Sequence, residues 1–319
     1  MKQDILIIQP LMPELSEVLH QHYHCHRLYE QTDVAAFLEE HAGKIKAVAT
    51  RGDVGLAADL MAALPALELI AVFGVGTDGI DLSAARDRDI TVTITSGILT
   101  DDVADLALAL MLGVSRQIVA QDAFLRSGAW QERPPQLGYK LCGKRVGIMG
   151  LGKIGAAIAR RCAGFDMQVG YCNSRQSSEP GWQRFGDLHQ LAQFSDFLVL
   201  AVPGDERNRK MVDADILSAL GKEGILINVA RGAVVNEDDL IEALQNHAIR
   251  GAGLDVFDNE PTIDTRFAAL TNTVLMPHIA SATVETRQAM AQNVVDNLAG
   301  WFAGKGAVTP VEWKYPHKN

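Results

Sequence analysis

Short apolar runs alternate with segments of helical periodicity along most of this chain. In the first third, four runs predict strands: Ile5–Ile8, Ala47–Thr50, Leu69–Val72 and Thr91–Thr95. A second series begins at Arg145 and continues with Gln168–Tyr171, Phe197–Val202, Ile225–Asn228, Ala252–Val256 and Thr273–Met276. This alternation predicts an α/β protein with parallel sheets, built from two consecutive doubly wound units.

The segment between the two series has a different pattern. Apolar residues from Val103 to Val114 recur at helical spacing, which predicts a helix over Leu99–Val114. The stretch Arg126–Gly143 has two prolines, three glycines and no periodicity, and we expect a loop or arm there.

Composition and charge narrow the class of protein. The chain has 319 residues, a net charge of −10 and 48% hydrophobic residues, enough for two domains with separate cores. The acidic balance argues against nucleic-acid binding. No apolar run is long enough to span a bilayer, and MKQDILIIQP resembles a short strand rather than a signal peptide. We therefore expect a cytoplasmic protein without membrane partners.

Two stretches, Gly74–Gly79 and Gly150–Gly155, match the pattern GxGxxG. Only the second lies between a compact apolar strand, Val146–Met149, and an amphipathic helix that leads to another strand. That context is typical of a Rossmann-type turn, whose glycines allow a tight bend, close approach of a pyrophosphate and close helix packing. The predicted contacts of the dinucleotide here are Gly150, Leu151, Gly152, Lys153, Ile154 and Gly155.

The residue that follows the second strand of this unit largely determines whether the site prefers NAD or NADP. An NAD site usually has an acidic residue there to hold the ribose hydroxyls. This chain has Asn173, Ser174 and Arg175 instead. These residues could donate hydrogen bonds to a 2′-phosphate, which a carboxylate would repel. NADP(H) is therefore the predicted cofactor, with NAD(H) possible.

Three chemically versatile residues follow predicted strands of the second series: Arg231, Glu260 and His278. Ligands of open parallel sheets bind at the carboxyl ends of strands. Reduction of a 2-oxo acid needs a cation for the carboxylate and carbonyl, which Arg231 could supply. It also needs a proton donor near neutral pH, such as His278, which a neighbouring Glu260 could orient.

These segments together resemble the D-isomer-specific 2-hydroxyacid dehydrogenases, and within that family the NADPH-dependent glyoxylate/hydroxypyruvate reductases. The resemblance extends from GVGTDGIDL through VGIMGLGKIG and INVARGAVV to GAGLDVFDNEP and MPHIASATVETR. It implies that Arg231 binds the substrate, that His278 is the acid/base and that Glu260 is its partner. It further implies substrate contacts at Val75 and Gly76, and cofactor contacts at Val229, Ala230, Arg231 and Asp255.

The resemblance also implies a domain organisation. A substrate-binding domain of residues 1–98 and 288–319 would enclose a dinucleotide-binding domain of residues 99–287. The chain would form a homodimer through its cofactor domains, with the arm Arg126–Gly143 reaching the partner.

Several alternatives stay open at this point. The substrate could be a bulkier 2-oxo acid, such as an arylpyruvate or 2-ketogluconate, or the chain could be a nucleotide-sensing binding protein. Arg51 could bind substrate or be an ordinary loop arginine. His20, His22, His24 and His26 alternate along the sequence, but a helix is expected to end at His22, and alternate residues share a face only within a strand. We therefore predict no metal site.

Overall fold

The computed structural model describes residues 2–174, 177, 179 and 181–312. The chain divides into two compact units, the second of which is inserted into the first. Unit 1 comprises Met1–Leu99 and Thr283–Asn319, and unit 2 comprises Thr100–Ala282. Among the described residues no single helix is long and apolar enough to cross a membrane. One pair of helices, Thr100–Ser115 and Ile118–Arg126, passes that test jointly by length and composition, with a bend of 58° between them.

Unit 1 is a parallel sheet with helices on its faces. Within its described residues the strands are β1 (Asp4–Ile7), β2 (His24–Arg27), β3 (Ile45–Arg51), β4 (Leu69–Phe73) and β5 (Thr91–Thr93), in the order β2-β1-β3-β4-β5. Its helices are α1 (Pro13–His22), α2 (Val34–His41), α3 (Ala58–Ala62), α4 (Leu82–Asp87) and the C-terminal α11 (Val284–Phe302). All five residues of β4 are buried, as expected for a parallel strand covered on both faces.

A buried amide fastens the C-terminal segment to unit 1. Oδ1 of Asn297, in α11, accepts the N–H groups of Val308 and Thr309 at 2.8 and 2.9 Å. The chain then pairs with the edge of β5, where the N–H of Val311 donates to the carbonyl of Val92 at 2.7 Å. Side-chain hydrogen bonds thus return the chain to the sheet in which it began.

Unit 2 is a larger parallel sheet. Its described strands are β6 (Arg145–Met149), β7 (Gln168–Cys172), β8 (Gln183–Arg184), β9 (Phe197–Leu200), β10 (Ile225–Asn228), β11 (Gly251–Leu254) and β12 (Thr273–Leu275). Its helices are α5 (Thr100–Ser115), α6 (Ile118–Arg126), α7 (Lys153–Ala163), α8 (Leu188–Phe194), α9 (Ala214–Leu220) and α10 (Glu237–Gln245). The strand order β12-β11-β10-β9-β6-β7-β8 reverses between β6 and β9, which is where doubly wound sheets bind their ligands.

The predicted α/β class with two parallel doubly wound sheets is confirmed. Helix α6 and the boundary before α11 are among the differences from the prediction. Helix α6 was not predicted, since all of its residues are at least partly exposed and its apolar positions follow no buried stripe. The prediction placed the second break between the units at about residue 288, within α11, whereas the break falls at Thr283, just before this helix, which contacts β4 of unit 1.

Candidate active site

A glycine turn joins β6 to α7 at the point where the strand order of unit 2 reverses. Gly150 has a φ of +94°, a left-handed conformation that glycine adopts without steric cost. Its N–H donates to the carbonyl of Cys172 at 3.0 Å. A Cβ built on Gly150 would lie 2.6 Å from the carbonyl oxygen of Ala201. Only glycine at position 150 therefore lets the turn fit between the ends of β7 and β9.

The beginning of α7 is suited to a pyrophosphate. Helix α7 follows Gly152, and within the described residues no side chain caps it. A Cβ on Gly155 would lie 2.0 Å from the Gly150 carbonyl oxygen, whereas one on Gly152 would meet open space. The helix is thus held close to the turn, and its N-terminus is open to an anion, which helix N–H groups attract. The other predicted contacts lie in the same turn and first helical turn: Leu151, Lys153 and Ile154.

The loop after β7 contains the residues predicted to select the cofactor. Asn173 is partly buried and Ser174 is exposed, while Arg175 lies outside the described residues. A second cation stands beside this loop, because Nη2 of Arg184 donates to the carbonyls of Asn173 and Ser174 at 3.1 and 3.4 Å. The sequence analysis missed Arg184. Its place depends on the pairing of the two-residue strand β8 with β7, which no sequence pattern reveals.

Arg231 is presented by a turn that a buried amide organises. Asn228, the last residue of β10, is 1% exposed. Its Oδ1 accepts the N–H of Ala230 at 3.0 Å, and its Nδ2 donates to the carbonyl of Arg231 at 2.9 Å. The two other residues of the turn, Val229 and Ala230, are buried. The Arg231 guanidinium also donates from Nη1 to the Ala230 carbonyl at 2.7 Å, so the turn fixes the direction of the side chain.

Close packing brings this turn to the segment that contains Glu260. A Cβ on Gly232 would lie 1.8 Å from the carbonyl carbon of Phe257 and 2.2 Å from the nitrogen of Asp258. Only glycine permits this approach. Arg231 is accordingly near enough to Glu260 for its charge to help lower the pKa of that carboxyl group. The structure thus brings Arg231 and Glu260 together in unit 2, as the sequence predicted.

Glu260 and His278 form a hydrogen-bonded pair. Oε2 of Glu260 lies 2.6 Å from Nδ1 of His278, and Oε1 accepts the N–H of Phe257 at 2.9 Å. An ionised carboxylate has no proton to donate, so Nδ1 of His278 is the donor. The other ring nitrogen, Nε2, is then left to exchange a proton with a substrate. The His278 side chain is 38% exposed and that of Glu260 is 29% exposed, which allows that exchange.

The backbone of His278 is held by Asp255, which follows β11. His278 has a φ of +54°, uncommon for a residue other than glycine. Its N–H donates to the Asp255 carbonyl at 2.8 Å. The Asp255 carboxylate accepts the N–H groups of Ile279 and Ala280 at 2.8 and 2.9 Å. Three successive N–H groups are thus bound by one residue. The sequence analysis predicted a nicotinamide contact for Asp255 and missed this positioning role.

Opposing effects set the charge state of the two acids. Burial raises the pKa of Glu260, but the hydrogen bonds from His278 and Phe257 and the charges of His278 and Arg231 outweigh it, so the pKa lies below its ordinary value. Burial also raises the pKa of Asp255, and there it prevails over the lowering by its two backbone hydrogen bonds. Glu260 is therefore ionised at neutral pH and accepts the hydrogen bond from Nδ1 of His278.

The other residues predicted to bind substrate lie in unit 1. Arg51 ends β3, and Val75 and Gly76 follow β4. A Cβ on Gly52 would lie 2.9 Å from the Gly76 carbonyl oxygen, so the two loops adjoin at the carboxyl ends of their strands. Nε of Arg51 donates to Oδ1 of Asp53 at 2.9 Å. Arg51 therefore already has an acidic partner, and substrate contacts at these three positions stay predictions.

A doubly wound unit with an open glycine turn and an Arg–Glu–His set at its strand ends defines a dinucleotide-binding oxidoreductase. Residues 108–280 match the family profile described as "D-isomer specific 2-hydroxyacid dehydrogenase, NAD binding domain". The chain belongs to this family of D-isomer-specific 2-hydroxyacid dehydrogenases. It is accordingly an oxidoreductase that binds a nicotinamide cofactor and acts on a small 2-oxo or 2-hydroxy acid.

Relatives with assigned activities cover nearly the whole chain. A 2-ketogluconate reductase of Gluconobacter oxydans is 49% identical over 97% of this chain and 99% of its own length. Glyoxylate/hydroxypyruvate reductase A of Arabidopsis thaliana is 41% identical over 96% of this chain and 98% of its own. The crystal structure of an NADPH-dependent glyoxylate/hydroxypyruvate reductase from Sinorhizobium meliloti, in complex with NADP and malonate, has a TM-score of 0.91 and 42% identity. It covers 98% of this chain and 97% of its own.

The Glu260–His278 pair predicts a pH effect. His278 must be protonated for reduction, so the rate of reduction should fall as pH rises. Glu260→Gln removes the negative charge beside Nδ1 of His278 but keeps the shape, and this descending limb should move to lower pH. At neutral pH, kcat should fall by roughly tenfold, and less at acid pH. The measurement is kcat against pH, with a solvent isotope effect to show that transfer limits the rate.

Glu237→Gln is the matched control for this experiment. Oε1 of Glu237, the first residue of α10, accepts the N–H of Asp258 at 2.9 Å, so the change alters a nearby acid and leaves the Glu260–His278 hydrogen bond in place. Its pH profile should stay that of the parent. An unshifted limb in Glu260→Gln would show that Glu260 has a structural role only.

Proposed function

We propose that this protein reduces glyoxylate and hydroxypyruvate to the corresponding 2-hydroxy acids, with the D configuration where the product is chiral, and that NADPH is its preferred hydride donor. The observation that carries the proposal is the Glu260–His278 hydrogen bond beside Arg231 at the strand ends of the cofactor-binding sheet. A nucleotide-sensing protein would have no use for a complete proton donor, orienting acid and anion-binding cation.

Each residue of the set has one task in the reduction. The cofactor, when bound, supplies the hydride that adds to C2 of the 2-oxo acid. Arg231 binds the carboxylate and the C2 oxygen, where negative charge develops, through its planar fork of donors. Nε2 of His278 gives its proton to that oxygen, and the product is the neutral alcohol group of a 2-hydroxy acid. Glu260 keeps Nδ1 hydrogen-bonded throughout and stabilises the imidazolium before transfer.

A second candidate substrate is 2-ketogluconate. The 2-ketogluconate reductase of Gluconobacter oxydans is 49% identical to this chain over nearly its full length, which favours this candidate over an arylpyruvate. The Arg231–Glu260–His278 set serves every 2-oxo acid equally, so it does not rank the two. The Sinorhizobium meliloti enzyme, an NADPH-dependent reductase of glyoxylate and hydroxypyruvate, supports the first candidate.

Two observations support the preference for NADP(H). The loop after β7 has Asn173 and Ser174 where an NAD site usually has an acid. Arg184 stands beside this loop, fixed by two carbonyls of the loop itself. A cation held at that position would attract a 2′-phosphate. Arg175, which the sequence also assigns to this role, adds a second positive charge to the loop.

The proposal includes a homodimer. Helix α6 exposes Ile118, Val119 and Leu125, and the following arm exposes Trp130 and Leu137, at 64% and 88%. Monomers rarely leave so many large apolar side chains in one continuous segment. A second copy of this chain, related by a two-fold axis, would cover them by placing the same surface against itself.

Steady-state kinetics on glyoxylate, hydroxypyruvate, 2-ketogluconate and phenylpyruvate test the substrate proposal. We expect the highest kcat/KM with hydroxypyruvate or glyoxylate. A clear preference for 2-ketogluconate would replace the first candidate by the second, and absence of turnover with all four would refute a reductase.

Arg231→Lys should lower kcat/KM by about a hundredfold, because a point charge cannot make the two parallel contacts of the guanidinium fork. Full activity of the Lys variant would contradict the assigned geometry.

Cofactor preference is tested by Arg175→Ala and Arg184→Ala. Each should raise KM for NADPH by about tenfold or more and leave NADH kinetics nearly unchanged, because only NADPH has the 2′-phosphate. Arg160→Ala is the matched control, since Arg160 is an exposed cation on α7 of the same unit. Equal kcat/KM for NADPH and NADH in the parent enzyme would contradict the proposed preference.

The dimer is tested by sedimentation equilibrium. The parent should be a dimer at micromolar concentration, and the double change Ile118→Asp, Val119→Asp should raise its dissociation constant by at least about a hundredfold, because it places two charges in an apolar contact. Val308→Asp, at a 59% exposed valine of unit 1, should leave the dimer intact. A monomeric parent would overturn this part of the proposal.

A further inference from the structure

A group of metal-ligating side chains lies at the amino ends of β1 and β2. Asp4 begins β1 and His24 begins β2, and the parallel register places these two residues opposite each other. His26 follows two residues later on the same face of β2. The loops with Arg51, Val75 and Gly76 are at the carboxyl ends of the strands of this sheet, so the group is separate from them within unit 1.

The ligand atoms of the three side chains converge. Oδ1 of Asp4 lies 2.9 Å from Nδ1 of His24 and 2.8 Å from Nε2 of His26. All three atoms lie within 4.8 Å of one another. In a tetrahedral zinc site with bonds of about 2.0–2.1 Å, ligand atoms are about 3.3 Å apart. The two separations from Asp4 lie slightly below this spacing, so its carboxylate must move a little away from both rings to accept an ion.

Two of the ligands are held in place and the third can adjust. The His26 side chain is 7% exposed and that of Asp4 is 22% exposed, whereas that of His24 is 67% exposed. The His26 ring packs on Phe37 and His41 of α2, with centroids 5.7 and 4.8 Å away. A fixed pair with one mobile ring is able to close around an ion that enters from solvent.

The other histidines of the alternating run are directed elsewhere. His20 lies in α1, where its Nε2 contacts the guanidinium of Arg27 at 2.7 Å, and His22 is exposed at the end of that helix. The four histidines therefore do not form one patch, but two of them meet at Asp4. The sequence analysis overlooked Asp4, because nothing in the sequence shows that β1 pairs with β2 in the register that sets Asp4 against His24.

We propose that Asp4, His24 and His26 bind a divalent transition-metal ion of the zinc type, which ties the edge strand β2 to β1. Two imidazole nitrogens and one carboxylate oxygen are ligands that Zn²⁺ prefers, and water would complete the coordination. On binding, the ion would replace the direct contacts between the two rings and Asp4.

Such an ion would stabilise unit 1 without touching the reaction. An ion bound only to the folded chain raises the free energy of unfolding in proportion to the logarithm of its concentration. The ligands come from two strands joined through α1, so the ion adds a cross-link at an edge of the sheet. The role is therefore structural, and the reductase activity of unit 2 should not require it.

The test uses the chelator-treated full chain, with Zn²⁺ as the probe for binding and Co²⁺ as the probe for geometry. Calorimetric titration should show a site that fills below about 100 μM Zn²⁺ and raises the melting temperature. His24→Ala should weaken this site by at least about tenfold and abolish the rise in melting temperature. Because His24 is exposed, that variant should fold normally. Asp4→Asn, which keeps the shape, should weaken it similarly, and Co²⁺ should give the visible spectrum of a low-coordinate site only in the parent.

His22→Ala is the matched control, an exposed histidine two residues from His24. It should leave Zn²⁺ affinity and the rise in melting temperature unchanged. Undiminished binding in both His24→Ala and Asp4→Asn would overturn the proposal, as would an equal loss in His22→Ala or no binding below about 100 μM Zn²⁺. These results are independent of reductase activity, so failure of the metal site and failure of the proposed function are distinguishable.

Discussion

The carboxylate of Asp255 is the constraint on which the candidate active site depends. His278 has a left-handed backbone, and such a conformation costs roughly 1–3 kcal/mol. Three hydrogen bonds from successive N–H groups to Asp255 offset that cost. They hold the segment in the one conformation that points the imidazole at Glu260. The proton donor is thus positioned by a buried acid that need not exchange a proton itself.

Close backbone contacts between loops also hold the candidate site together. Gly232 lets the turn after β10 touch the segment after β11, and Gly150 does the same between β7 and β9. Parallel strands bring their carboxyl ends to one edge of a sheet, but they leave the loops there free to diverge. Glycines at the points of contact are what make these loops share a surface, so that a pyrophosphate cradle and an Arg–Glu–His set occur in one unit.

The sequence predicted the features that burial or local chemistry encode. Parallel strands are continuous apolar runs, and each of the twelve described strands except the edge strands β2 and β8 belongs to one of the predicted runs. Arg231, Glu260 and His278 were found because they follow strands. The contacts of Arg184, the amide of Asn228 and the meeting of Asp4 with His24 depend on register and on the path of the chain between strands. No local sequence pattern indicates strand register or the path of the chain between strands. Helix α6 was missed because it has no buried apolar stripe from which a helix could be predicted.

The arrangement also explains why relatives with different substrates share so much sequence. In the proposed mechanism, Arg231 and His278 act on the carboxylate and the C2 oxygen, which every 2-oxo acid has. Their geometry therefore does not depend on the remainder of the substrate. A reductase of hydroxypyruvate and a reductase of 2-ketogluconate need the same arrangement of these two residues. Discrimination must arise from side chains that meet the rest of the molecule. A pocket built to hydrogen-bond several substrate hydroxyls strongly rejects a substrate that lacks them, because its polar groups are then left unpaired. An apolar pocket rejects an added hydroxyl much less strongly. An enzyme that accepts a range of small 2-oxo acids should therefore have few fixed polar groups around the remainder of the substrate.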